Sequence, residues 1–253
     1  MTKIIAFAGR AQSGKNSSAN LITGHVMKQL GMVEWYDINE EGKLVIPALM
    51  EDGSIERRVL DLEDYRPEVQ SFLAETIHPA VKTYSFATPL KNMAINLFGL
   101  NYNQCFGTDE QKNAPTSIMW KDIPGYKKQG LNSTNCLTGR EFLQTFGTEV
   151  CRKIKDNCWT QYCLNNIKAE EPQIALITDM RFLNEAQAIK EAGGIIVYLT
   201  RDIAEYHGNH KSETEPLEIQ KIADFVCDNQ NLTIQEKNEQ IIGKLVELGV
   251  ITK

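Results

Sequence analysis

The sequence predicts an α/β fold in which helices cover both faces of a mostly parallel central sheet. Short segments that are apolar at nearly every position alternate with segments of helical period along the 253 residues. Strands that are apolar on both faces are typical of parallel sheets buried between two layers. The chain is 42% hydrophobic, which fits one large domain with insertions as well as two small ones. We expect a single domain over residues 1–253.

The individual helices and strands are predicted from hydrophobic periodicity and from residues that typically begin or end a helix. Residues 3–8, KIIAFA, predict a buried strand. Residues 16–30 predict a helix because apolar residues recur on one face and Gly31 supplies a C-terminal stop. By the same criteria, further strands are predicted at 81–87, 173–178, 195–200 and 224–229, and further helices at 67–77, 89–98, 138–155, 159–168, 183–192 and 234–248.

Two regions interrupt this alternation. Residues 43–60 predict a hairpin turning at Asp52-Gly53, within an insertion of about 37–66, and Pro47 predicts that the first strand lies at a sheet edge. Residues 100–136 show no clear period and predict an irregular insertion.

Charge, hydropathy and cysteine spacing argue against nucleic-acid binding, a membrane span and a zinc site. The net charge of −6 argues against non-specific binding to nucleic acid, which needs an excess of Lys and Arg. No apolar run approaches the ~20 residues of a membrane span. The six scattered cysteines include no CxxC pair, which indicates free thiols in a reducing cytoplasm. His207 and His210 have no nearby cysteine and do not predict a zinc site.

The opening strand runs into the pattern G-x-x-x-x-G-K, from Gly9 to Lys15. Glycines allow backbone N–H groups to converge on a phosphate, and the following helix directs its positive end at the same anion. A lysine at this position reaches the β- and γ-phosphates. Asn16 stands where such loops usually have Ser or Thr, and Ser17 follows. The Ser17 hydroxyl, the Asn16 amide oxygen and water remain alternatives as Mg²⁺ ligands.

The segment LTGREFLQTFGTEVCRKI carries two stripes on one predicted helix. An apolar stripe is expected to face the core, at Leu143, Phe146, Val150 and Ile154. A polar stripe steps by four residues, at Arg140, Gln144, Thr148 and Arg152. Gly147 is unfavourable inside a helix and indicates a close approach to its backbone. The polar stripe is either part of a site or a solvated face.

Two more segments place charge after predicted strands. Asp179 ends the strand in ALITDMRFLNEA and Arg181 follows, at the edge where α/β sheets bind ligands. This aspartate either holds a magnesium-bound water or substrate group, or caps the next turn. A polar loop from Arg201 to residue 217 is either a lid over phosphates or an ordinary surface loop. Five of the eight arginines fall in these motifs, which favours a phosphate-rich site.

Together these segments resemble the bacteriophage deoxynucleoside monophosphate kinase family, within the P-loop kinases. The matching pieces are GRAQSGKNSSA, FATPLK, LTGREFLQTFGTEVCR with Trp159, ITDMRFLNEAQAIKEAGG and HKSETE. The family usually has Asp-Thr after the loop lysine, where this chain has Asn16-Ser17. The resemblance implies a P-loop NTPase fold and transfer of the γ-phosphoryl group of ATP, with Mg²⁺, to a deoxynucleoside monophosphate (dNMP).

The resemblance also implies the residues of the site. The ATP cradle would be Gly9, Arg10, Ala11, Gln12, Ser13, Gly14, Lys15, Asn16 and Ser17. The monophosphate site would be Arg140, Gly147, Thr148, Trp159 and Asp179, with Lys91 and Arg152 nearby. From the charge pattern we add Arg181 and Arg201 as groups that close over the phosphates.

Rival functions share only part of this pattern. A kinase acting on dephospho-coenzyme A would have the first motif but does not account for the Gly-Thr-Glu helix. A non-catalytic switch ordered by ATP would need fewer acceptor-side arginines. We expect a small-molecule substrate, no nucleic acid or membrane partner, a homodimer on general grounds, and a cytoplasmic location (the host cytoplasm if phage-encoded).

Overall fold

The computed structural model describes residues 1–10, 12–64, 66–123, 135–201, 216–230 and 232–252. The β-strands of this part of the chain are β1 Lys3–Ala8, β2 Asp37–Ile38, β3 Leu44–Leu49, β4 Ile55–Leu60, β5 Val81–Tyr84, β6 Pro115–Met119, β7 Cys136–Thr138, β8 Ile174–Met180, β9 Ile195–Thr200 and β10 Phe225–Asp228. The α-helices are α1 Lys15–Gln29, α2 Pro67–Thr76, α3 Ala87–Phe98, α4 Tyr102–Phe106, α5 Asp109–Lys112, α6 Gly139–Gln144, α7 Arg152–Ile154, α8 Cys158–Glu170, α9 Leu183–Glu191, α10 Pro216–Ile222 and α11 Ile234–Glu247.

The central sheet has five strands in the order β10-β9-β1-β8-β5, and every neighbouring pair is parallel. Side chains of β1 are buried on both faces. Ile5 and Phe7 join a core cluster with α1 and α11, and Ile4 and Ala6 are buried on the other face. The predicted α/β fold with a mostly parallel sheet flanked by helices is therefore confirmed. Parallel pairing brings the carboxyl ends of all five strands to one edge of the sheet.

The predicted hairpin is confirmed, but its edge position is wrong. Strands β3 and β4 pair antiparallel, and β2 adds a third strand on the other side of β3. β3 is thus the middle strand. Pro47 is tolerated because β2 pairs only with Leu44 and Val45, so the backbone at Pro47 bonds to β4 alone.

Two other predictions needed correction. The strand predicted at 81–87 ends at Tyr84, because α3 already begins at Ala87. The region 100–136 is not irregular over its described part. It forms α4, α5 and β6, and the two short helices begin with capping boxes at Asn101 and Thr108. These helices are shorter than two turns, so no apolar period could develop in the sequence.

The described contacts divide the chain into two compact units. The first comprises Met1–Ser85 and Cys163–Lys253 and contains the five-stranded sheet with the β2–β4 sheet. The second comprises Phe86–Tyr162 and contains the antiparallel pair β6–β7. The second unit has its own core, formed by Ala94, Leu100, Cys105, Trp120, Leu137 and Phe142. The single-domain assignment stays a prediction.

Candidate active site

The carboxyl edge of the five-stranded sheet gathers most of the polar residues predicted in the first unit. Gly9 follows β1, Asp179 lies near the end of β8, and Arg201 follows β9. Because β1 and β8 pair in parallel with Ala8 opposite Met180, Asp179 lies beside the start of the glycine loop. Ser85, which follows β5, donates a hydrogen bond of 2.6 Å to Asp179 Oδ2. The sequence motifs after these strands therefore converge at one edge.

The glycine loop has the backbone that its sequence requires. Gly9 and Gly14 have φ values of 139° and 94°, and Gln12 also has a positive φ of 57°. A Cβ on Gly9 would lie 2.5 Å from the Leu199 carbonyl oxygen of the neighbouring strand. Gly9 is therefore required both by its conformation and by the close passage of β9. Ala11 lies outside the described residues.

We expect Gly9→Ala to lower the free energy of unfolding by about 2–5 kcal/mol, because it adds backbone strain to overpacking against a main-chain oxygen. Gly53→Ala is the matched control. Gly53 also has a positive φ of 82°, but nothing lies within 4 Å of a Cβ placed there. The control should lose only about 1 kcal/mol, the backbone cost alone. Urea denaturation of both variants measures the difference, and equal losses would contradict the role of Leu199.

The Lys15 ammonium is held inside the loop. Its Nζ donates to the carbonyl oxygens of Gly9 at 2.9 Å and Arg10 at 2.6 Å, and the residue is only 7% exposed. Helix α1 begins at Lys15 itself, directly after the left-handed Gly14. The first backbone N–H groups of α1 and the lysine charge are thus concentrated where an anion would bind.

The two residues after Lys15 differ in their surroundings. Asn16 is exposed, and its Nδ2 donates a 2.8 Å hydrogen bond to Glu63 Oε1. Ser17 is partly buried, and its Oγ accepts a 3.2 Å hydrogen bond from Lys237 Nζ. A divalent cation at Ser17 Oγ would lie close to that ammonium, which opposes binding there.

Lys237 and Asn229 are functional candidates that the sequence interpretation missed. Asn229 follows β10, and its Nδ2 donates to the Ser13 carbonyl oxygen at 3.2 Å. Lys237 is 3% exposed. A signal for it existed, because Lys237, Ile241 and Leu245 recur every four residues as the buried stripe of α11. A lysine in an apolar stripe indicates that its ammonium has a specific partner inside the protein.

The turn after β8 is fixed by a buried carboxylate. Glu185, on the first turn of α9, is 2% exposed, and its Oε2 accepts hydrogen bonds from the backbone N–H groups of Arg181 and Phe182.

Burial raises the pKa of the nearby Cys163 thiol, and the carboxylates of Asp179 and Glu185 raise this pKa further. Both effects disfavour the thiolate form of Cys163. All six cysteines are free, as the sequence predicted.

In the second unit, the predicted cations Lys91 and Arg140 contact neighbouring segments. Arg140 donates from Nη2 to Asp109 Oδ1 at 2.6 Å and from Nε to Asn113 Oδ1 at 3.1 Å. Lys91 Nζ lies 4.4 Å from the centre of the Phe106 ring. The partners of both cations thus lie between the end of α4 and the residue after α5.

The helix predicted at 138–155 is confirmed as helical, but its middle is a π-helix at Thr145–Cys151. The prediction that the apolar stripe faces the core is wrong at its C-terminal end. Val150 is 38% exposed and Ile154 is 81% exposed, whereas Leu143 and Phe146 are partly buried and pack against the core of the second unit. A π-turn takes in an additional residue, so it rotates the following side chains away from the face that a 3.6-residue period predicts.

The predicted close approach at Gly147 is confirmed. A Cβ at this position would lie 2.6 Å from Leu90 Cδ2. The Gly147 carbonyl oxygen accepts a 3.2 Å hydrogen bond from Trp159 Nε1, and this indole is 8% exposed. Thr148 and Arg152 are partly exposed, and Arg152 Nη1 donates to the Asp156 carbonyl oxygen.

The structure groups the predicted residues by unit. The first unit brings together, at the sheet edge, Gly9, Arg10, Gln12, Ser13, Gly14, Lys15, Asn16, Ser17, Asp179, Arg181 and Arg201. The second unit holds Lys91, Arg140, Gly147, Thr148, Arg152 and Trp159. Most of the predicted lid, residues 202–215, lies outside the described residues, as do His207 and His210.

The described ranges contain neither a metal cluster nor a membrane-spanning helix. No cluster of three or more His, Cys, Asp or Glu side chains there is arranged to hold a metal ion. None of the described helices combines the length and the hydropathy needed to cross a bilayer.

A parallel sheet whose first strand leads into a left-handed glycine turn, a lysine and a helix N-terminus defines the P-loop class of phosphate-binding proteins. The chain belongs to the deoxynucleotide monophosphate kinase family, whose model matches residues 3–240. It is 33% identical over 170 residues to a protein of Acanthamoeba polyphaga mimivirus named "Putative deoxynucleotide monophosphate kinase". That match covers 62% of this chain and 79% of the viral protein. The predicted function, a kinase acting on deoxynucleoside monophosphates, is confirmed.

Proposed function

We propose that residues Gly9–Ser17 bind the phosphates of ATP and that the γ-phosphoryl group passes to a dNMP, which gives dNDP and ADP. One observation carries this proposal. The buried Lys15 ammonium lies inside a loop that is held open by positive-φ glycines, directly at the N-terminus of α1. Loop N–H groups, helix end and ammonium together match the charge of a polyphosphate.

Arg140, supported by Lys91 and Arg152, is our proposed ligand for the phosphate of the dNMP. Its side chain is 38% exposed, and its guanidinium is oriented by Asp109 and Asn113 through Nη2 and Nε. Arginine binds phosphate through two parallel hydrogen bonds, which fixes orientation as well as charge. The carboxylate of Asp109 balances this charge until a phosphate arrives. Gly147, Thr148, Trp159 and Asp179 are proposed as the other acceptor-site residues.

The chemistry needs positioning more than proton transfer. The acceptor is a phosphate oxygen that is largely deprotonated at pH 7, since its second pKa is about 6. A general base is therefore not required. The barrier comes from two anions that repel each other and must be aligned, so fixed cations supply most of the catalysis. We assign Arg181 and Arg201 to closing over the phosphates.

The residues after Lys15 fit a magnesium ion near Asn16. The Asn16 amide group donates to Glu63, which directs its NH₂ to the carboxylate and leaves Oδ1 as the acceptor of the side chain. Mg²⁺ prefers oxygen ligands and keeps several waters, so Asn16 Oδ1 and the nearby Glu63 carboxylate would hold it. When bound, Mg²⁺ neutralises phosphate charge during transfer. Ser17 is disfavoured by the ammonium of Lys237.

An acceptor screen tests the proposal. We expect ADP release from ATP that depends on an added dNMP, no release with dephospho-coenzyme A, and loss of the reaction in excess EDTA. ATP hydrolysis that is independent of every dNMP would contradict the transfer.

Light scattering would test the homodimer, which we propose on the general frequency of symmetric dimers. The free thiols support a cytoplasmic location.

A further inference from the structure

Lys237 is a buried cation directed at the phosphate loop. Its residue is 3% exposed, and its Nζ lies 3.2 Å from Ser17 Oγ. A Cβ placed on Gly14 would lie 3.9 Å from the same Nζ and 3.5 Å from Asn229 Nδ2. The ammonium therefore lies against the junction between the loop and the first turn of α1.

No described residue around Lys237 neutralises its charge. No carboxylate forms an ion pair with it within the described residues. Its one described hydrogen-bond acceptor is the Ser17 hydroxyl, although an ammonium has three donors. Burial lowers the pKa of Lys237; the Cys227 thiol opposes this shift, and the Arg201 guanidinium adds to it. A buried ammonium without an anion is costly to the folded state.

We propose that Lys237 binds the donor nucleotide, at the phosphate nearest the nucleoside. This inference rests on the proposed binding of ATP at Gly9–Ser17. Lys15 is the loop lysine that reaches the β- and γ-phosphates, whereas the loop N–H groups cradle the α- and β-phosphates. Ser17 lies two residues beyond Lys15, on the first turn of α1, so its neighbour Lys237 faces the α-phosphate side. An α-phosphate supplies the missing anion, and the same contact forms with ATP and with ADP.

A contact that forms equally with ATP and with ADP strengthens nucleotide binding but does not lower the barrier of the transfer step. The proposed role of Lys237 differs in this respect from that of Lys15. We expect Lys237→Met to weaken ADP binding by about ten- to a hundredfold, the range for losing a hydrogen bond to a charged group. The loss in kcat/KM should fall mainly on the KM for ATP. The ligand-free variant should melt at the same or a higher temperature, because a buried, unpaired charge has been removed.

The matched control is Lys244→Met on the same helix, where the ammonium forms an ion pair with Glu247 at 2.8 Å. Calorimetry with ADP and thermal melting without ligand are measured on the wild type and both variants. An unchanged ADP affinity in Lys237→Met overturns the inference. So does a variant that melts several degrees lower or fails to fold, because Lys237 would then be structural.

The two proposals fail differently. A wild-type enzyme that binds ADP and transfers phosphate, with Lys237→Met equally able to bind ADP, removes Lys237 alone. A wild-type enzyme that neither binds ADP nor transfers phosphate to any dNMP removes the proposed function and this inference together.

Discussion

Lys15→Ala lowers turnover a hundredfold or more, the largest effect that we expect from a single substitution. In the proposed donor site, the ammonium is a fixed positive charge where the transferred phosphoryl group would develop negative charge, and removing such a contact costs on the order of 3 kcal/mol. Steady-state kinetics with ATP and saturating dNMP measures the loss. The free energy of unfolding should fall by no more than about 2 kcal/mol, since two loop carbonyls lose one charged donor.

Lys28→Ala is the control for this variant. Lys28 lies in the last turn of the same helix and is exposed, so its removal changes the charge of α1 without touching the loop. We expect the control to keep wild-type turnover. If Lys15→Ala also kept near-normal turnover, the loop would not be the donor site.

Arg140→Ala raises the KM for the dNMP or lowers kcat, with a combined loss in kcat/KM of about a hundredfold, while ATP still binds. The expected size is that of one charge-assisted contact to a phosphate in the transition state. The specificity of the loss for the acceptor is the informative result, because the proposed ATP cradle contains other residues. Initial rates with the dNMP varied at saturating ATP, together with ATP titrations, separate the two effects.

Arg57→Ala tests whether any surface Arg–Asp pair would behave alike. Arg57 donates to Asp37 at 2.6 Å, the same distance as between Arg140 and Asp109, but it lies on β4. Exposed pairs of this kind contribute 0–1 kcal/mol, so we expect unchanged kinetics. Acceptor kinetics that are equal to wild type in Arg140→Ala would remove this arginine from the site and leave it as a surface ion pair.

The glycine loop was predictable because the residues that form it are contiguous in sequence. Gly9, Gly14 and Lys15 are fixed by spacing, and the strand before and the helix after them have strong periods. The position of Asp179 at the same edge also followed from sequence, since strands that alternate with helices must be parallel and share one carboxyl edge. Identity of the family was predictable for a similar reason, because its motifs are short continuous segments.

The middle of the 138–155 helix shows where local reasoning failed. The sequence correctly indicated that something approaches Gly147. It did not indicate the π-turn, because Leu90 packs against this glycine from another helix and Trp159 binds its carbonyl from a third. A helical period assumes constant geometry, so Val150 and Ile154 were assigned to the wrong face.

The sequence by itself determined the sheet, the glycine loop and its lysine, because each depends on residues that are close together along the chain. Only the tertiary structure decided which distant groups complete the loop. Lys237 and Ser17 are 220 residues apart in sequence. Their contact forms because β10 pairs with β9, and α11, which follows β10, then lies near the start of α1. Burial determines the chemistry of that lysine, because an ammonium away from water requires an anion. Burial is a property of the folded chain alone.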